Sequence, residues 1–140
     1  MNQETDVNYK IVLTLYKNDV GAIPENVKRY INRHDIEIIQ SDVDIKQHKK
    51  YFYAMQKYKD YPLITVDDDM IYPKYFIESL YTTHMKNYNK VICVRYTEVK
   101  RDESFQVVPP YTYWAYGDGD RESYKGDIFG VGSGGILYPA

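Results

Sequence analysis

The segment PLITVDDD (residues 62–69) joins a short apolar run directly to three consecutive aspartates. Its first part, residues 62–66, is apolar and β-branched, which is typical of a strand buried in a sheet. A similar run, KIVLTLY (residues 10–16), predicts an earlier strand, and residues 36–39 predict another between the two. The aspartates therefore stand where the chain leaves the third predicted strand.

Helical patterns alternate with these strands. Pro24 suits the first turn of a helix, Asp42 or Asp44 can cap the next one, and Pro73 opens a third. Residues 90–99 predict a fourth strand. Strand–helix units in series predict an α/β fold with a mainly parallel sheet and helices on both faces.

The pattern changes after the fourth predicted strand. Residues 105–114 read as extended chain, and residues 117–126 read as a polar loop. Residues 130–135 are too rich in glycine to form the interior of a helix or strand. This part of the chain therefore predicts loops and turns rather than further strand–helix units.

The composition limits the class of protein. A length of 140 residues fits one domain, and a net charge of −2 provides no basic field for a nucleic-acid backbone. No stretch approaches the roughly 18 apolar residues of a membrane helix. Residues 1–10 are polar and lack the apolar core of a signal peptide. We therefore expect a cytoplasmic protein that neither binds nucleic acid nor spans a membrane.

The aspartates carry the chemistry that the residues alone indicate. Open α/β sheets bind ligands at the carboxyl ends of their strands, and adjacent carboxylates repel one another unless solvated or bound to a cation. Hard oxygen ligands select Mg²⁺ or Mn²⁺. In an extended chain Asp67 and Asp69 point the same way, whereas a sharp turn favours Asp68 as the ligand. The alternative to a metal site is a solvated acidic turn.

Other charged residues predict less. The spacing of Asp118, Asp120 and Glu122 is that of a calcium loop, but Ser123 stands where such a loop needs glycine, so a solvated loop is favoured. A haloacid-dehalogenase-type phosphotransferase is disfavoured because the aspartates are not part of a DxDxT motif. For Arg95, which lies within the fourth predicted strand, an ion pair is favoured over a phosphate contact.

Residues 63–73 (LITVDDDMIYP) resemble the DXD region of bacterial GT-A fold glycosyltransferases of the capsular and surface polysaccharide type. Residues 48–58 (HKKYFYAMQKY) and 130–139 (GVGSGGILYP) match the same family in the expected order. The resemblance covers nearly the whole chain. It implies a single Rossmann-like GT-A domain over residues 1–140. It also implies transfer of sugar from a nucleoside-diphosphate sugar to a saccharide acceptor in polysaccharide biosynthesis.

The resemblance also implies roles for particular residues. It assigns a Mn²⁺ or Mg²⁺ ion to three aspartates: Asp67, Asp68 and Asp69. Asp67 is further expected to contact the donor, and Lys50 to contact its phosphate or sugar, with a solvated lysine as the alternative. Gly134 and Gly135 are expected to let the backbone approach the donor sugar, with a tight turn between strands as the alternative.

Family members usually carry a strand–helix unit before the strand that residues 10–16 predict, and an acidic motif after GGxLYP that supplies the general base. The sequence as given is expected to lack both, so no catalytic residue is predicted. Donor binding without transfer, by a non-catalytic fragment of the same fold, is the alternative function. The sheet edges left unpaired by the missing strand predict self-association into a homo-oligomer, with direct pairing of the two flanking strands as the alternative.

Overall fold

A computed structural model describes residues 3–104, 106–107, 114–118 and 127–140. The chain divides into two compact units. The first unit is Thr5–Leu63 with Ala140, and the second unit is Met1–Glu4 with Ile64–Pro139. A single domain over residues 1–140 stays a prediction.

The first unit is a small parallel α/β element. It contains two strands and three α-helices: β1 (Val12–Tyr16), α1 (Lys17–Val20), α2 (Glu25–Arg33), β2 (Glu37–Ser41) and α3 (Lys49–Lys57). The strands pair in parallel, with Leu13 opposite Ile38. Parallel pairing requires a long return connection, which α2 supplies. Helix α3 packs against both strands and is preceded by a 3₁₀ turn, Lys46–His48.

A carboxylate with three partners ties this unit together. Glu37, at the start of β2, accepts from Lys10 at 2.6 Å, Lys57 at 2.7 Å and the Tyr58 hydroxyl at 2.6 Å. The Glu37 side chain is only 18% exposed. Hydrogen bonds from Lys10, Lys57 and Tyr58, in that order of size, lower the pKa of Glu37 from 4.5 to about 2. The network joins the chain before β1, the start of β2 and the end of α3.

The second unit contains one long helix and short strands: β3 (Leu63–Thr65, whose first residue belongs to the first unit), α4 (Phe76–Lys86), β4 (Ile92–Cys93), β5 (Arg95–Glu98), β6 (Ala115–Asp118), β7 (Ile128–Gly130) and β8 (Ile136–Tyr138). The strands form two sheets, ordered β3-β8-β4 and β6-β5-β7. Strand β8 is antiparallel to β4, and β5 is antiparallel to both β6 and β7. A 3₁₀ turn, Gly132–Gly134, connects β7 to β8.

The core of the second unit lies between α4 and the sheet that contains β8. Leu137, in the middle strand of that sheet, has no exposed surface. Helix α4 packs against β4 and β8 and buries Phe76, Ile77 and Leu80, as its periodicity predicts. Apolar area buried in this way is the main stabilising term for the unit.

The start of α4 is capped from outside the helix. The Gln3 side-chain oxygen accepts from the Ile77 amide at 3.1 Å, and the Gln3 amide donates to the Pro73 carbonyl at 2.8 Å. The first amides of a helix have no partner within it, so this cap satisfies one of them. Among the described residues no helix is long and apolar enough to cross a membrane.

The prediction of a mainly parallel, Rossmann-like GT-A sheet is wrong. Strands β1 and β2 pair in parallel, whereas the pairs β4–β8, β5–β6 and β5–β7 are antiparallel. The reason lies in the connections: parallel neighbours need a crossover of a dozen or more residues. After α4 the described chain contains no further α-helix that supplies such a crossover.

Several element boundaries also differ from the sequence prediction. The strand expected over residues 90–99 breaks at Val94, so that β4 and β5 join different sheets. Gly117 and Asp118, expected in a loop, lie in β6. Most of the stretch expected to be extended, residues 105–114, lies outside the described residues. Asp44 caps the 3₁₀ turn before α3, accepting from the Lys46 amide at 3.1 Å, rather than α3 itself.

We predict that Gly135→Ala destabilises the second unit by about 2–5 kcal/mol. Gly135 has φ +91°, which side-chain-bearing residues rarely adopt, and an added Cβ lies 2.3 Å from Phe76 Cζ. Gly21→Ala is the control, because Gly21 has φ −66° and open space around it. Urea denaturation followed by circular dichroism measures both variants. Equal midpoints for the two variants contradict the prediction.

We predict that Glu37 makes stability depend on pH below neutrality. Its folded pKa of about 2 lies below the ordinary 4.5, so its contribution is present above pH 4.5 and is lost as the pH falls toward 2. Glu37→Gln is therefore expected to lower the urea midpoint at pH 7, with the difference from wild type closing between pH 4.5 and 2. Glu103→Gln, which removes an exposed carboxylate, is the control and leaves the midpoint unchanged.

Candidate functional site

The three aspartates lie where β3 ends. Asp67 follows Thr65 by two residues and is half-buried, whereas Asp68 and Asp69 are exposed and form a turn. The chain therefore bends at the second and third aspartates instead of continuing as a strand. This geometry corresponds to the sharp turn considered for Asp68, and it places at least two carboxylates at the surface.

The Tyr72 hydroxyl fixes the position of this aspartate loop. The Asp67 amide donates to the hydroxyl oxygen at 2.9 Å, and the hydroxyl donates to the Ser133 carbonyl at 3.2 Å. The Tyr72 ring packs on Phe76, with centroids 4.5 Å apart. Tyr72 therefore joins the loop after β3 to the glycine turn before β8. Tyr72 and Ser133 are 61 positions apart in the sequence, so this hydrogen bond joins two distant motifs within the second unit.

Internal neighbours explain the glycines of that turn. An added Cβ on Gly134 lies 2.8 Å from Arg95 Cβ and from Arg95 Cγ, and one on Gly135 lies 2.3 Å from Phe76 Cζ. Both glycines are buried. The alternative of a tight turn between strands therefore accounts for them, and a contact between their backbone and a donor sugar stays a prediction.

Arg95 covers one side of the same turn. It opens β5, and its carbonyl accepts from the Val131 amide at 2.9 Å. Its side chain is exposed, and among the described side chains its guanidinium makes no ion pair. The ion pair favoured by the sequence is therefore absent from the described part of the chain. Asp118 is the Cα partner of Arg95 across the β5–β6 ladder.

The structure brings some of the predicted site residues together and leaves others apart. Asp67, Gly134 and Gly135 lie in the second unit around Tyr72. Lys50 lies half-buried in α3 of the first unit. Of the calcium-loop candidates, Asp118 ends β6, and the other two fall outside the described residues.

The aspartate loop offers an incomplete set of cation ligands. Within residues 3–104, 106–107, 114–118 and 127–140, no group of three or more His, Cys, Asp or Glu side chains is arranged to hold a metal ion. Asp68 and Asp69 nevertheless have no basic partner among the described residues, so their oxygens are available. Mg²⁺ is typically held by one or two carboxylates together with phosphates and water. Metal binding by Asp67, Asp68 and Asp69 therefore stays a prediction.

Sequence reasoning missed the role of Tyr72. The residue stands inside the DDDMIYP segment, five positions after Asp67, but a tyrosine in a loop gives no local signal of its partners. Its hydroxyl contacts a carbonyl that is distant in sequence, and only the pairing of β3 with β8 brings the two together. Buried or half-buried tyrosines usually find a partner for the hydroxyl, which is the one general cue available.

Comparisons with protein-family models, curated proteins and solved structures find no match to this chain.

We predict that Tyr72→Phe lowers the free energy of unfolding by about 1–3 kcal/mol, because it leaves the Asp67 amide and the Ser133 carbonyl without this partner. The Phe ring keeps the packing on Phe76. Amide hydrogen exchange at Asp67 should accelerate. Tyr88→Phe, at an exposed tyrosine of the same unit, is the control. Unchanged exchange at Asp67 rules out the bridging role.

Proposed function

We propose that this chain provides the donor-binding site of a metal-dependent glycosyltransferase that takes a nucleoside-diphosphate sugar. One observation carries the proposal: Tyr72 fixes the aspartate loop against the glycine turn. The LITVDDDMIYP and GVGSGGILYP segments, which carry the family resemblance, thus meet around one hydroxyl. The proposal rests on these local segments and not on a parallel sheet.

Each part of the loop has a chemical task in this proposal. Asp68 and Asp69 offer exposed carboxylates to the cation, and Asp67 is held in a defined position by its own amide. The cation supplies charge neutralisation for the diphosphate as the nucleoside diphosphate departs. Because the loop is held in place before the ligand arrives, little conformational freedom has to be lost on binding.

The remaining parts of the proposal concern partners. The acceptor is a saccharide hydroxyl, and an inverting transfer requires a carboxylate near that hydroxyl as the general base. No described residue is assigned to that role. Lys50 as a contact to the donor, self-association of the chain and a cytoplasmic location all stay predictions. Binding of the donor without transfer is the alternative outcome.

We predict that UDP or GDP binds in the presence of Mn²⁺ or Mg²⁺ and that Asp68→Ala/Asp69→Ala weakens this binding at least about tenfold, because the cation loses its two exposed protein ligands. Isothermal titration calorimetry measures the affinity. The control is Asp6→Ala/Asp60→Ala, which removes two exposed carboxylates from the first unit and leaves binding unchanged. Equal affinity in the presence of EDTA contradicts a metal-dependent site.

A further inference from the structure

The aliphatic stem of Arg95 lies against Gly134. An added Cβ on Gly134 lies 2.8, 2.8 and 3.0 Å from Arg95 Cβ, Cγ and Cδ, so three carbons of the arginine stem rest on the bare face of this glycine. One face of the stem is therefore covered, although the residue as a whole is exposed.

The charge of Arg95 is not neutralised within the described part of the chain. Other basic residues have carboxylate partners: Lys57 pairs with Glu37, and Arg101 pairs with Asp127. Arg95 has no such partner there, and neither do Asp68 and Asp69. The second unit therefore carries a basic residue, Arg95, and two acidic residues, Asp68 and Asp69, that do not pair with one another.

A ligand that carries both signs of charge is complementary to this arrangement. The backbone of Arg95 is tied to the glycine turn through Val131, and Tyr72 ties the aspartate loop to the same turn through Ser133. A diphosphate with its bound cation presents a positive ion to the carboxylates and anionic oxygens to the guanidinium. Arginine suits the second task because its planar fork binds two phosphate oxygens at once.

We propose that Arg95 is an anion-binding residue that takes the diphosphate of a ligand whose cation is held by the aspartate loop. This inference rests on the proposed function for the identity of the whole ligand. It adds a direct contact between the Arg95 guanidinium and the diphosphate, which does not require the divalent cation. Part of the affinity for a diphosphate therefore persists when the divalent cation is removed.

Inorganic pyrophosphate tests the inference by calorimetry at low ionic strength, in EDTA and again with Mg²⁺. We expect Arg95→Gln to weaken pyrophosphate binding roughly tenfold in both conditions. Arg33→Gln is the control, because Arg33 is also exposed, makes no ion pair among the described residues and lies on α2 of the first unit. Arg95→Lys retains the charge without the fork and is expected to bind with intermediate affinity.

The outcomes separate this inference from the proposed function. Equal pyrophosphate affinity in wild type and Arg95→Gln overturns the role of Arg95, as does a wild type that binds no pyrophosphate in either condition. Metal-dependent binding of UDP or GDP decides the proposed function independently. Circular dichroism establishes that Arg95→Gln is folded. If it is not, Arg95→Lys alone decides the matter, since equal affinity to wild type in EDTA and equal salt dependence contradict a bidentate contact.

Discussion

The chain passes into β8 through Gly135, and the second unit depends on that passage. Gly135 has φ +91°, and the ring of Phe76 occupies the space in which any other residue would place its Cβ. Strand β8 lies between β3 and β4, and its Leu137 is fully buried. Helix α4 covers this strand through the same Phe76 and its neighbours Ile77 and Leu80. The central strand and its covering helix therefore meet at a residue that only glycine satisfies.

The candidate site is a consequence of the same strand order. Because β8 lies beside β3, the residues that follow β3 and those that precede β8 come close together. The Thr65 hydroxyl donates to the Ile136 carbonyl at 3.4 Å. Two residues after Thr65, the Asp67 amide donates to the Tyr72 hydroxyl. The backbone groups left over where two short strands end are satisfied by a side chain, as buried polar groups require. That side chain fixes the position of the aspartate loop.

Charged residues of two kinds occur in the described part of the chain. In the first unit Glu37 and Asp44 each accept from two lysines, and these contacts lower the pKa of both carboxyls. In the second unit Asp68, Asp69 and Arg95 have no partner of opposite charge among the described residues. The first arrangement satisfies its charges internally and stabilises the fold. The second leaves charges of both signs available to a ligand, which is the physical basis for the function proposed.

The sequence by itself determined the local elements and the candidate ligands. Apolar, β-branched runs predict β1, β2 and β3 because such residues suit a buried strand, and periodicity predicts the buried face of α4. The run of aspartates directly after β3 predicts a cation site from its carboxylate chemistry, and this stays a prediction. These features depend on neighbours in the sequence.

Only the tertiary structure decided the strand pairing and the contacts around the site. The strand predicted over residues 90–99 breaks between Cys93 and Arg95 because its two halves join different sheets, and no local pattern specifies that choice. The bridge through Tyr72 joins residues 61 positions apart, and the glycines at 134 and 135 are required by side chains from β5 and α4. Propensity acts over a few residues, whereas pairing and packing depend on surfaces that are distant in the chain.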